Sequence, residues 1–409
     1  MIKIFDDLSK IIINSKIDIE ALNEFLEEEE NENNFIINSY GQIIKREVMT
    51  KGESEESKLS WLNKIKDKVY DLFIKIFKVI NIFGKNEEKE LCGIINIGNN
   101  CYLNAGLQIL SRCYPLFKLL LNSNYENDEL INLFVEAMII LIFRKDKYYN
   151  PTKFVKCFCK RNKDFAVGQQ NCSQDFIRTM IRNINDVYEK NIRYEDYQPE
   201  SIEKNVYKSY IFENNIFPES KPFSLFSGIL KIHIKGKCSE CETEINNYSF
   251  SSFIDQVLYL NSFNERTKFS EVLKKNIGKQ NNAIMNCPKC KEKIKCKSIS
   301  RFVKIPEIFI FTLERFLVRN KVPIEPDDLI NMYEYIDDKY EIDKNQCYYK
   351  LFAINIRKGK DLSFGHEICQ IKQKNKWYTI DDGDFYERQR EYNEYSYGLF
   401  YKRIKIVNQ

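Results

Sequence analysis

The chain has 409 residues, 63 basic and 59 acidic, for a formal net charge of +4, and 43% of them are hydrophobic. This supports at least one large core, and the near-balance of charge gives no reason to expect a nucleic-acid partner. No run of about 18 apolar residues occurs, so a spanning helix is not expected.

The opening MIKIFDDLSK lacks a charged n-region, an apolar h-region and a small-residue cleavage site. An intracellular location, cytoplasmic or nuclear, is therefore expected. In such a reducing compartment the thirteen cysteines serve metal binding or redox chemistry more readily than structural disulfides. Residues 1–90 read as a partly disordered extension: EALNEFLEEEENENN (20–34) is an acidic, polar run and KGESEESK (51–58) a linker. The spacing of Trp61, Ile65, Val69, Leu72, Phe73, Ile76, Phe77, Ile80 and Phe83 predicts an amphipathic helix over 59–84. Its lysines fall mostly on the opposite face, and Gly84 is a stop. Either this helix packs on the main domain, or its basic, aromatic character serves a membrane surface or a protein partner.

Helices are predicted next over 100–111, 130–143 and 174–184. The first opens with Cys101, directly after the polar turn NIGNN. Amide N–H groups at a helix start lack intrahelical partners and carry partial positive charge, so a thiol placed there ionises more readily. Asn99 or Asn100 can act as N-cap. Asn96, one turn earlier, can donate its amide to a developing oxyanion.

After Phe223 the chain turns to strands: ILKIHIKG, ISRFVKI, EIFIFTLERF, YKLFAINIRKG, HEICQIKQ, KWYTIDD and YGLFYKRI. Helices first and strands later make the class α+β. Two CxxC pairs, Cys238–Cys241 and Cys287–Cys290, lie in polar turns between strands. Such knuckles can place four thiolates around one tetrahedral, structural zinc ion, with Cys296 a spare nearby; the alternatives are reducible disulfides or thiols without metal. Of the two histidines, His233 alternates with apolar residues and reads as structural. His366 follows a glycine at a strand start and suits the role of base for Cys101. A short turn after it would return Asp381 to its side, where a carboxylate orients the imidazole. These residues alone leave two readings, a Cys-His-Asp hydrolase and a buried, inert cysteine.

Several segments, in order, resemble the ubiquitin-specific proteases, a family of ubiquitin carboxyl-terminal hydrolases. GIINIGNNCYLNAGLQIL resembles the cysteine box, departing at Asn100 for threonine and Ala105 for serine; GQQNCSQDFI and SLFSGIL follow. The two CxxC pairs resemble the family's zinc site, FIFTLERF its strand, GHEICQIKQKNKWYTIDD the histidine box and YSYGLFYKR the closing strand. The resemblance implies a papain-like fold with a thumb of about 91–200, zinc-bearing fingers of about 230–300 and a palm of about 201–229 and 301–405. It implies a Cys101-His366-Asp381 triad with Asn96 at the oxyanion, Asp382 in support, and ubiquitin as partner. Gln170, Asn171, Asp175, Phe316 and Glu367 would border the ubiquitin tail. Asn171 stands where an aspartate is usual, Asp175 for a glutamate and Glu367 for an aromatic residue. The swap suggests that Glu367 takes over part of a lost contact to a basic tail, although strand alternation turns residue 367 away from His366. A non-catalytic binding module of this fold, and a protease for a ubiquitin-like modifier, are the competing readings.

Overall fold

The computed structural model describes residues 91–121, 128–143, 147–189, 202–214, 221–316, 320–340, 342–359, 365–373, 376–390 and 393–404. It also describes Phe35–Ile37 paired antiparallel with Ile43–Lys45. The acidic run, the linker and the 59–84 helix lie outside the described residues.

Five helices come first: α1 Cys101–Ser111, α2 Tyr114–Leu121, α3 Glu129–Phe143, α4 Thr152–Arg161 and α5 Ser173–Glu189. Every residue of α1 is buried, so its polar side chains need internal partners. Gln108 Nε2 accordingly donates to the Cys92 carbonyl at 2.7 Å. On α5 the residues Phe176, Ile177, Met180, Ile181 and Ile184 form one buried stripe at helical spacing. A Cβ at Gly106 would overlap the Phe176 ring, so the glycine lets α1 and α5 approach closely.

The helices α6 Ile202–Glu213 and α7 Lys221–Phe226 lead into β1 Gly228–Lys237, β2 Glu244–Phe253 and β3 Asp255–Tyr259. Next come α8 Phe269–Asn276, β4 Gln280–Asn286, β5 Lys293–Lys304 and β6 Ile308–Glu314. The closing strands are β7 Tyr348–Gly359, β8 Gly365–Gln373, β9 Lys376–Asp381, β10 Asp384–Glu387 and β11 Ser396–Ile404. One four-stranded antiparallel sheet has the order β2-β1-β5-β4. An eight-stranded sheet has the order β10-β9-β8-β7-β11-β6-β3, with Leu329–Asn331 also pairing β7.

The larger sheet is covered on both faces. Along β6, Ile308 and Ile310 face the core shared with α1, α3 and α5, while Phe309, Phe311 and Leu313 face α8 through Phe269, Val272 and Leu273. Burial on both sides explains why the central strands read as unbroken apolar runs. The expected α+β class holds, with more elements than the sequence pattern predicts. The strands β2 and β4 are mostly exposed and polar, and carry little hydrophobic alternation. Helix α8 is a two-turn helix within the strand-rich half, and α2, α4 and α6 were likewise not predicted. None of the described helices is long and apolar enough to cross a membrane.

Candidate active site

Cys101 is the first residue of α1. The turn before it is tightened by left-handed backbone at Gly98 (φ 115°) and Asn99 (φ 51°). Asn99 Nδ2 ties that turn to the Gly168 carbonyl at 2.8 Å. Asn100 occupies the cap position, but its side chain makes no cap bond. Instead it accepts from the Ile97 amide at 2.7 Å and donates to Asn104 Oδ1 at 2.8 Å. The turn thus orients the thiol without a side chain covering the start of the helix, where backbone N–H groups can meet a developing negative charge.

The partners of the thiol come from the large sheet. Strands β8 and β9 pair antiparallel with Cys369 opposite Ile380, which sets Asp381 diagonally from His366 on one face. His366 Nε2 and Asp381 Oδ1 lie 2.6 Å apart. That leaves the other ring nitrogen for Cys101, whose titration His366 shifts from close by. Burial pushes the Cys101 thiol up, but bonds from His366, Gln170 and the Glu367 amide carry it below the ordinary thiol value. The bond to Cys101, opposed by desolvation and aided by Asp381, pushes His366 up to about 9. The two shifts describe one thiolate–imidazolium pair. Cys101 is 3% exposed, while the His366 and Asp381 side chains are 45% and 42% exposed, so the pair is open on the imidazole side.

Asp382 holds the far wall. It has left-handed backbone (φ 51°) and accepts from Asn96 Nδ2 and Asn104 Nδ2, each at 2.8 Å. Its carbonyl accepts from the Ile94 amide at 2.8 Å. A Cβ at Gly93 would overlap the Gly383 carbonyl, so the glycine admits this close approach. The Asn96 amide is thus oriented by a neighbouring carboxylate. Gln170 lies on the opposite side, its Nε2 3.5 Å from Cys101 Sγ and 2.9 Å from the Gly365 carbonyl. Its proximity to the thiol was not legible in the sequence.

The remaining expected tail contacts divide. Asp175 is half-buried and pairs with Arg178 at 2.5 Å; Arg178 also binds Asp255 at 2.6 Å, a pairing the sequence did not signal. The Asn171 side chain turns to the Asp164 carbonyl at 3.4 Å. Phe316 packs edge-on against Tyr397 at 5.2 Å. Glu367 is a correction: it is 1% exposed and paired with Arg357, so it cannot line a solvent-filled channel. Alternation along β8 sends it to the interior while His366 faces the thiol.

A second cluster lies at the end of the four-stranded sheet. Cys238 and Cys241 follow β1, and Cys287 and Cys290 follow β4, in matching turns. Glu242 and Lys291 have left-handed backbone (φ 55° and 67°), and their amides donate to the Cys238 and Cys287 carbonyls at 3.0 and 2.9 Å. The four sulfurs lie within 4.8 Å of one another, with the cross-pairs Cys238–Cys290 and Cys241–Cys287 each at 3.5 Å. This arrangement can hold one metal ion. Cys296 is buried against Gly236 and packs beside the four instead of joining them.

The profile of the ubiquitin carboxyl-terminal hydrolase family matches residues 92–401. The chain belongs to this family. Its fold is accordingly the papain-like one of thumb, palm and fingers. Similar proteins include the probable ubiquitin carboxyl-terminal hydrolase 4 of Schizosaccharomyces pombe, 23% identical over 79% of this chain and 60% of the yeast protein. Another is ubiquitin carboxyl-terminal hydrolase Usp2 of Drosophila melanogaster, 22% identical over 78% of this chain and 36% of the fly protein. A third is ubiquitin carboxyl-terminal hydrolase 4 of Arabidopsis thaliana, 23% identical over 72% of this chain and 85% of the plant protein. The chain thus spans less than two thirds of the length of the first two. Within this ubiquitin carboxyl-terminal hydrolase, Cys101 comes from the start of α1, with Asn96 in the turn just before it, and His366 and Asp381 come from the neighbouring strands β8 and β9.

Proposed function

We propose that the protein is a deubiquitinating thiol protease that cleaves after the C-terminal glycine of ubiquitin. The carrying observation is Cys101 at a helix start beside His366, close enough for each to shift the other's titration, with His366 in turn 2.6 Å from Asp381. His366 takes the thiol proton, and the thiolate attacks the glycine carbonyl carbon. Asn96 and the first amides of α1 receive the oxyanion. The leaving amine departs with the proton held by His366, a thioester remains, and water activated by the same imidazole releases it.

Ubiquitin would rest on the fingers, with its tail passing Gln170, Asn171, Asp175 and Phe316 on the way to the thiol. The fingers carry a structural zinc on Cys238, Cys241, Cys287 and Cys290. A Zn–S bond of about 2.3 Å implies sulfurs about 3.8 Å apart, close to the observed spacing. None of the thirteen cysteines is paired in a disulfide, which suits an intracellular, reducing setting. The test is a ubiquitin bearing a C-terminal electrophile, with the adduct mapped by mass spectrometry. A bond at Cys101 is expected. An adduct only with a ubiquitin-like modifier would change the substrate, and no adduct at Cys101 with either would leave a non-catalytic binding module.

A further inference from the structure

His366 and Glu367 are neighbours on β8 with opposite fates. Glu367 enters the interior, where an ionised carboxylate needs partners. It forms a fully buried ion pair with Arg357 of β7. The amide of Ser173, first residue of α5, donates to both its oxygens at 3.2 Å. The Ser173 hydroxyl and Asn355 Nδ2, the latter at 3.1 Å, complete the shell. The carboxylate thus sits at the N-terminus of a 17-residue helix, a favourable end for negative charge, but it is supplied by the sheet.

Arg357 works on the same joint. Its Nη1 also donates to the Asn171 carbonyl at 3.1 Å. The segment held in this way, residues 170–173, carries Gln170, which touches Cys101 Sγ. The strand on the other side of the pair carries His366 and the Glu367 amide, which also reach the thiol. One buried pair therefore ties together the two segments that border Cys101. Asn171, through its backbone carbonyl, and Glu367, two of the departures from the family pattern, meet here through Arg357.

We propose that Glu367 and Arg357 are positioning residues that lock the leading segment of α5 to the histidine strand, so that Gln170 and His366 meet Cys101 together. This rests on the hydrolase reading above. The pair touches no substrate, so its removal should act on kcat and leave KM nearly unchanged.

The test compares E367Q, R357M, R357K and the double variant E367Q/R357M with the wild type. Removing both charges of a buried pair avoids leaving one unpaired, so the double variant is the one expected to fold. Turnover is read with ubiquitin carrying a fluorogenic C-terminal amide, and folding by thermal melting. In the folded double variant kcat should fall by about ten- to a hundredfold, the scale of a small misplacement at a reacting centre. KM should stay within about threefold. R357K, which keeps the charge, should retain more kcat than R357M.

A second readout needs no ubiquitin: the pH dependence of Cys101 alkylation by iodoacetamide, mapped by peptide mass. Its midpoint should move to higher pH in the double variant. A folded double variant with wild-type kcat and a wild-type alkylation profile overturns the proposal. If the wild type does not turn over the ubiquitin amide, the hydrolase reading fails, and an unchanged alkylation profile alone then overturns the latch. Should every variant unfold, hydrogen exchange in the wild type decides: slow exchange of the Ser173 amide supports the latch, and exchange at the free-peptide rate overturns it.

Discussion

Cys101 and the four cysteines of the distal knuckles are one residue type under two sets of neighbours. At the start of α1 a single thiol meets an imidazole, and one proton moves between them. In the turns after β1 and β4, four thiols meet one another within 4.8 Å, with no imidazole in the group. A third set has neither arrangement: burial pushes Cys113 far up, and burial with nearby carboxylates pushes Cys369 far up and Cys172 up to about 12, so these stay neutral packing groups. Neighbours decide the role as much as exposure does, since Cys101 is as little exposed as Cys172 and differs by the imidazole beside it.

The contrast breaks most visibly on the nucleophile. Cys101→Ala should lower turnover of a ubiquitin amide by about 10⁴-fold or more, while calorimetry still detects ubiquitin binding. Residual turnover of that size by any other cysteine would remove the distinction between the two sites.

His366→Ala should cost about 10³-fold, and His233→Ala should leave turnover within about twofold. His233 stacks on Tyr248 at 4.3 Å and bonds Asn246, far from the cleft in both sequence and sheet. Equal damage from both would refute the assignment of the base. The same pair sets the pH profile. Because the folded His366 value is raised to about 9, the imidazolium persists to that pH and kcat/KM should fall above it. On the acid side kcat/KM should fall below the ordinary thiol value, where the lowered Cys101 finally takes up its proton. Asp381→Asn removes a group that raises His366, so the alkaline limb should move to lower pH in a kcat/KM–pH titration.

The knuckles sharpen the comparison by failing differently. Purified protein should carry about one zinc per chain, and Cys238→Ser should lose it in elemental analysis. The melting temperature should drop by about 5 °C or more, with kcat/KM reduced less than about tenfold. A wild type that is fully folded without metal would show these thiols to be packing groups.

The smallest effect is expected at Asn171, whose side chain lies against the Asp164 carbonyl near the surface. Asn171→Asp should change kcat/KM less than about threefold, as surface charges do. It should not rescue Glu367→Gln, because the Glu367 carboxylate is engaged by Arg357 and Ser173 and does not face the tail. Rescue in a double-mutant cycle would restore the idea of a compensating charge.

The sequence by itself carried the parts of this site that are local. A thiol after NIGNN at a helix start, a histidine after a glycine at a strand start, an aspartate across a short turn and two CxxC pairs are all written in spacing along the chain. The same holds for the unbroken apolar strands that mark a sheet covered on both faces. Tertiary structure alone decided the rest. A buried carboxylate has the same letter as an exposed one, so Glu367 read as a surface charge until β7 and α5 supplied its partners. Alternation gave the parity of residue 367, but only packing shows which face of β8 is closed. Asp382 could not be placed on Asn96 and Asn104 from 286 and 278 residues away, because that contact depends on a left-handed turn and the close approach at Gly93. Gln170 reached the thiol for a similar reason: its position is set by the junction of helix and sheet, and contacts across that junction leave no period in the chain.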